Sequence, residues 1–133
     1  MIHEELVKRV MEKMLRGNDP ILETLRCQYN SAAICSVENS SAGFFVNFQS
    51  TSSKIDSSKF FTKFQLGDVY GNVGFQELAV GFILYVKDGE IVMLEGYTLM
   101  IDIWPDDNTI DLCYDSGDQR DFSALRQTWL RKL

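Results

Sequence analysis

Residues 81–97, with the sequence GFILYVKDGEIVMLEGY, predict a β-hairpin with a two-residue turn at Asp88-Gly89. An Asp-Gly turn requires positive φ at both central positions, and it determines which residues of the two strands oppose each other. The pairs expected on this basis are Lys87–Glu90, Val86–Ile91, Leu84–Met93, Phe82–Glu95 and Gly81–Gly96. Because opposed residues share a sheet face, Glu95 is predicted to lie on the face that carries Phe82 and Leu84.

Both faces of this hairpin are apolar in the predicted register, so we expect other parts of the chain to cover both. A carboxylate in that setting, Glu95, is the strongest functional hint in the sequence. Two interpretations of Glu95 stay open: a hydrogen-bonded side chain that ties its strand end to a loop, or part of a binding or catalytic site. The opposed Gly81 and Gly96 leave room for a large ring, and Tyr97 and Trp104 are the candidates to fill it.

Helical patterns lie on both sides of the hairpin. Apolar residues at helical spacing predict one helix over 2–16 and a second through 21–29, and Asp19-Pro20 is typical of the start of the second. A last helix is predicted from Asp121, with its apolar face continuing to Leu133.

Strand-like patterns account for most of the remaining chain. Four segments have this character: 33–37, 44–48, 69–75 and 109–114. The order of elements predicts an α+β fold with two N-terminal helices, an antiparallel meander sheet of about five to six strands and one C-terminal helix. We expect residues 1–133 to form a single domain.

The chain is acidic, with a formal net charge of −6. Residues 87–121 contain ten acidic and two basic residues, so this segment alone carries −8. Such a charge disfavours nucleic-acid binding, and it is either an ordinary solvated face or a surface that steers a basic protein partner. The candidate partner contacts are Asp102, Asp106, Asp107, Asp111, Asp115 and Asp118.

No spacing of residues predicts an enzyme, a metal site or a cofactor site. The one histidine, His3, lies beside the N-terminus, which is a poor place to preorganise a Ser-His-Asp or Cys-His mechanism. A calcium loop counted from Asp106 fails, because its sixth and twelfth positions are Asp111 and Gly117. We therefore expect no catalytic residues, no metal and no cofactor.

The sequence also predicts where the protein is found. Three cysteines at wide spacings indicate reduced, mostly buried thiols. There is no signal-peptide pattern and no apolar run of about 20 residues, so we expect a cytoplasmic protein that does not bind membranes.

Five short pieces of sequence carry a resemblance to a known group of proteins. The pieces are GDV (67–69), GFxL (81–84), DGxI (88–91), LEGY (94–97) and WP (104–105). In this order they resemble a group of small bacterial proteins over residues 60–105, with LEGY and WP as the specific parts. The group carries no known reaction. Its members look like proteins encoded in bacterial genomes that contain many immunity proteins of toxin systems. The resemblance therefore implies an immunity-type role.

The leading functional hypothesis is a non-catalytic, intracellular binding protein that docks a basic partner through its acidic C-terminal surface. The alternative is a small-ligand-binding or enzymatic domain with a pocket lined by Glu95, Tyr97, Trp104 and Tyr70. A third hypothesis is a homo-oligomer, since the hairpin offers more apolar surface than one helix layer easily covers.

Overall fold

The computed structural model describes residues 3–49, 55 and 61–129, and this part of the chain forms three α-helices and six β-strands. The helices are α1 (Glu4–Met14), α2 (Pro20–Ser31) and α3 (Phe122–Arg126). The strands are β1 (Ala33–Ser40), β2 (Gly43–Gln49), β3 (Phe64–Val73), β4 (Gln76–Lys87), β5 (Glu90–Thr98) and β6 (Ile110–Tyr114). The predicted α+β class is confirmed, whereas residues 130–133 of the predicted last helix lie outside the described residues.

The strands form one antiparallel sheet in the order β1-β2-β5-β4-β3-β6. Strands β3, β4 and β5 make the predicted meander, the β1–β2 hairpin joins it at β5, and β6 joins it at β3. Cys35 is exposed because β1 is an edge strand, and Cys27 is exposed because it lies outside the buried stripe of α2. The prediction of mostly buried thiols is therefore wrong.

The β4–β5 hairpin has the predicted turn. Asp88 and Gly89 have φ values of 53° and 75°, as a two-residue turn of this type requires. The first pairs beyond the turn also match the prediction: Lys87 with Glu90, and Val86 with Ile91. The local sequence therefore specifies this end of the hairpin.

The register changes immediately after those pairs, because Val92 forms a β-bulge. Tyr85 pairs with Met93, and Ile83 pairs with Glu95. The prediction that Glu95 shares a face with Phe82 is therefore wrong. One extra residue on one strand moves each later side chain to the opposite face.

The sheet has one buried face and one partly exposed face. The buried face carries apolar side chains from the central strands, including Val46, Leu66, Phe82, Leu84 and Leu94, each completely buried. Helices α1 and α2 pack on this side, against β3 and β5 respectively. The other face, called here the exposed face, carries side chains that remain partly accessible, including Phe45, Tyr70, Ile83, Tyr85, Met93, Glu95 and Tyr97. Within the described residues, α1 and α2 lie on one side only, so for this part of the chain the expectation that both faces are covered is wrong.

Among the described helices, none combines the length and the apolar character needed to cross a membrane.

Candidate functional site

Three tyrosines and one carboxylate meet on the exposed face; we call Tyr70, Tyr85, Tyr97 and Glu95 the tyrosine cluster. The Tyr85 hydroxyl donates a hydrogen bond to Glu95 Oε1 at 2.7 Å. The side chains of Tyr97 and Tyr70 are hydrogen-bonded to each other. The structure thus brings together three of the four predicted pocket residues and adds Tyr85. Sequence reasoning missed Tyr85 because the predicted register places it on the face opposite to Glu95.

Gly81 allows the Tyr97 ring to lie close against β4. Gly81 is paired with Tyr97 of β5 on one side and with Tyr70 of β3 on the other. A Cβ atom at position 81 would lie 2.5 Å from both Cζ and Oη of Tyr97. The ring therefore occupies the space that any other residue at 81 would fill, and it crosses β4 toward Tyr70. Tyr97 remains partly exposed in this position.

Trp104 does not join the tyrosine cluster. The predicted Gly81–Gly96 pair is wrong, and Gly96 instead accommodates the ring of Phe44, which would lie 2.6 Å from a Cβ atom at 96. Trp104 packs edge-on against Phe44 and Phe82, with ring centroids 5.1 and 5.9 Å apart. Trp104 therefore belongs to the buried side of the sheet.

Asp107, one of the predicted partner contacts, is engaged within the fold. Its carboxylate accepts a hydrogen bond from Trp104 Nε1 at 2.8 Å and lies 2.7 Å from His3 Nδ1. The His3 ring stacks on Phe44 with centroids 4.4 Å apart, and its Nε2 lies 3.0 Å from Asn39 Oδ1. His3 is thus held firmly although it is close to the N-terminus. Its described contacts include no serine or cysteine, so the arrangement anchors α1 and supplies no nucleophile.

Three acidic residues border the tyrosine cluster; we call Asp111, Asp118 and Glu77 the acidic rim. They lie around Cys113 of β6, which pairs directly with Tyr70 of the cluster. Burial raises the pKa of the Cys113 thiol, Lys13 lowers it, and the three rim carboxylates raise it further. The geometry agrees with this: Asp111 lies two residues before Cys113 on β6, and Asp118 follows the Tyr114–Gly117 bridge. Asn72 Oδ1 accepts both from Cys113 Sγ and from the Leu78 amide, which adjoins Glu77.

The other predicted partner contacts lie in different settings, with Asp106 beside α1 and Asp115 beside α3. Asp102 and Asp106 are exposed on the loop between β5 and β6, and Asp115 is exposed just after β6. The loop, the β3–β4 turn and the start of β4 carry several large exposed apolar side chains: Phe75, Leu78, Leu99, Met100 and Ile103. The loop is tied to β4 by the backbone amides of residues 99 and 100, which both donate to the Ala79 carbonyl. Exposed apolar groups beside acids are typical of an interaction surface.

The chain matches no family model, no curated protein and no solved structure. What the protein does is therefore inferred from the exposed face and its borders. In the parts of the chain that the structure describes, no three His, Cys, Asp or Glu side chains are grouped so as to hold a metal ion.

The tyrosine cluster predicts a loss of stability at high pH. Burial, the neighbouring Tyr70 and the Glu95 carboxylate raise the pKa of Tyr97 from 10.0 to about 12. As the pH rises, the unfolded chain releases the Tyr97 proton before the folded protein does. The contribution of this raised pKa to the free energy of unfolding is therefore complete below pH 10 and is lost as the pH rises to about 12. We expect the free energy of unfolding in urea to fall less steeply over this range in Tyr97→Phe than in the wild type. Equal slopes of unfolding free energy against pH in the two proteins would contradict the assignment of this pH dependence to Tyr97.

Proposed function

We propose that this chain is a non-catalytic binding protein that docks a basic protein partner through its exposed face. The observation that supports the proposal is the position of the acidic rim beside the tyrosine cluster, on the face of the sheet that the helices leave accessible. Tyrosine and methionine are enriched in the centres of protein interfaces, and charged residues at the border. The exposed face has this arrangement.

The sign of the charge indicates the chemistry of the partner. The rim and the exposed Asp102, Asp106 and Asp115 are all negative, and they belong mainly to the segment that carries −8. A positive partner is attracted to these carboxylates by long-range electrostatics, which raises the association rate and makes binding sensitive to salt. An immunity protein that neutralises a basic toxin domain is one form of this function. The free state of the described cysteines favours a reducing, cytoplasmic setting.

The test compares three forms of the protein as bait in extracts of the native host. The rim variant is Asp111→Asn/Asp118→Asn/Glu77→Gln, and the control is Glu5→Gln/Glu12→Gln/Glu23→Gln, which neutralises three exposed acids on the helices. Both variants change the net charge by the same amount. We expect wild type and control to retain one basic protein that the rim variant loses.

The retained protein is then identified by mass spectrometry, purified, and titrated by calorimetry. Loss of three border charges should weaken binding roughly 10- to 100-fold, on the basis of about 0.5–1 kcal/mol for each exposed pair. The affinity should also fall as salt is raised from about 50 to 500 mM. Equal affinities for rim variant and control, or no dependence on salt, would refute the proposal.

Small-ligand binding is the second candidate function. A cavity of about 480 Å³ opens on the exposed face, lined among others by Tyr85, Val92 and Met93. It lies next to Glu95, because Tyr85 is the residue that hydrogen-bonds to that carboxylate. A thermal-shift screen tests this candidate: stabilisation by a small molecule that disappears in Glu95→Gln would support it, and a protein that responds to no ligand would argue against it.

A further inference from the structure

Glu95 presents a carboxylate at the centre of the exposed face. Its strand, β5, lies between β2 and β4, and Glu95 pairs with Phe45 on one side and Ile83 on the other. Oε1 accepts the hydrogen bond from Tyr85, and among the described residues no cationic group lies within ion-pair distance of either oxygen. The carboxylate is therefore held in position while keeping capacity to accept further hydrogen bonds.

An aromatic ring lies next to this carboxylate. Tyr97 is two residues along the same strand, so its side chain is on the same face as Glu95. The hydroxyl end of its ring lies against Gly81, between β5 and Tyr70 of β3. Tyr97 remains partly exposed, and the face of an aromatic ring attracts a guanidinium.

We infer that Glu95 and Tyr97 form a binding site for an arginine side chain of the basic partner, with the guanidinium hydrogen-bonded to the carboxylate and stacked on the ring. This inference deepens the proposed function and rests on it. A guanidinium is planar, donates hydrogen bonds in a fork that matches a carboxylate, and stacks on aromatic rings. A lysine ammonium is a compact point charge and uses only part of this arrangement.

Charge also argues against a second copy of the chain as the occupant. Two exposed faces packed together about a two-fold axis would bring Glu95 and the acidic rim of each copy close to those of the other. Like charges opposed in a partly desolvated interface are unfavourable. An arginine from a basic partner supplies the opposite charge at this position.

The experiment uses two defined peptides, acetylated and amidated, that contain three arginines or three lysines separated by glycines. Each is titrated into isotopically labelled full-length protein at about 20 mM salt, where exposed charges are weakly screened. Amide shifts in the NMR spectrum report both the affinity and the location of binding. In the wild type we expect the arginine peptide to bind at least about fivefold more tightly than the lysine peptide, with the largest shifts at Glu95 and Tyr97.

The decisive variant is Glu95→Gln, and its matched control is Glu38→Gln. Glu38 is an exposed carboxylate in the same cross-strand row, because it pairs with Phe45, but it has no tyrosine beside it on its edge strand. We expect Glu95→Gln to lower the affinity for the arginine peptide about tenfold and to abolish the preference for arginine over lysine. Glu38→Gln should change the affinity less than about twofold. Tyr97→Leu should also abolish the preference while leaving salt-dependent attraction of both peptides.

The outcomes separate this inference from the proposed function. Equal effects of Glu95→Gln and Glu38→Gln, or equal affinities for the two peptides, would overturn the arginine site even if the purified partner still distinguishes the rim variant from its control. A dimer that forms in sedimentation and disappears in Glu95→Gln would identify a second copy as the occupant and also overturn it. The amide spectrum of each variant confirms that the fold is retained.

Discussion

Replacing Arg120 with alanine should lower the free energy of unfolding by about 3–5 kcal/mol. Arg120 Nε and Nη2 donate to the two carboxylate oxygens of Asp68 at 2.7 and 2.8 Å. The side chains of Arg120 and Asp68 are only 3% and 13% exposed. Removal of the guanidinium leaves the Asp68 carboxylate in a poorly solvated position without its partner, which costs far more than the loss of a surface ion pair.

Further contacts of Arg120 increase the expected effect. Its Nη1 donates to the Arg16 carbonyl at 2.9 Å, and its guanidinium lies 5.0 Å from the centre of the Tyr114 ring. The residue therefore joins the segment after α1 to β3 and β6. Asp68 itself lies in a β-bulge of β3, so the ion pair holds an irregular part of the sheet.

The matched control is Arg9→Ala, because Arg9 is an exposed arginine whose described side-chain hydrogen bonds go to the Ile110 and Asp107 carbonyls, so its removal leaves no buried carboxylate unpaired. We expect this control to cost about 1 kcal/mol. In urea unfolding, the double variant Asp68→Asn/Arg120→Ala should be less destabilised than the sum of its single variants, since it no longer contains the unpaired carboxylate. Similar values for Arg120→Ala and Arg9→Ala would show that the Asp68 pair contributes no more than ordinary hydrogen bonds near the surface.

Replacing Gln28 with leucine should cost about 2–3 kcal/mol. Gln28 is completely buried on α2, where its Oε1 accepts from the Ile91 amide at 2.9 Å and its Nε2 donates to the Gly89 carbonyl at 2.8 Å. Leucine has a similar volume but no polar atoms, so the Ile91 amide is left buried without that acceptor. The Gly89 carbonyl keeps a second donor, the Ile55 amide, which limits the loss.

Hydrogen exchange gives this prediction a local readout. The Ile91 amide should lose protection in Gln28→Leu to a greater extent than amides elsewhere in the sheet, because its acceptor is the side chain that was removed. Gln65→Leu is the control, since Gln65 is an exposed glutamine on β3 and should leave the free energy of unfolding nearly unchanged. An unchanged Ile91 exchange rate would contradict the role given to Gln28.

The position of Glu95 shows which part of the candidate site could not be predicted from local pattern. The regular register would bury its carboxylate beside Phe82 and leave Leu94 on the other face. The bulge at Val92 does the reverse: Leu94 is completely buried and Glu95 is partly exposed. Burial of an unpaired carboxylate costs several kcal/mol, more than the irregularity of one bulge. The spacing of Ile91 and Leu94 was the available signal, because two core residues three positions apart on one strand require such an irregularity.

The acidic surface was predicted in part. The charge of residues 87–121 is a property of composition, and five of the six aspartates predicted as partner contacts are exposed. Asp107, by contrast, contacts Trp104 and His3, and His3 is more than a hundred positions away in the sequence. Glu77, the third member of the acidic rim, lies outside the acidic segment and reaches Cys113 only because β3 pairs with both β4 and β6.

The sequence by itself determined the features that depend on a few neighbouring residues. These are the start of α2, where the Asp19 side chain accepts from the Ile21 amide, and the Asp88-Gly89 turn, since capping and turn geometry are set within about four residues. Only the tertiary structure decided the strand order, the face on which Glu95 lies and the pairing of Asp68 with Arg120. Each of these balances burial, charge and hydrogen bonding across distant segments, and no local pattern contains that balance.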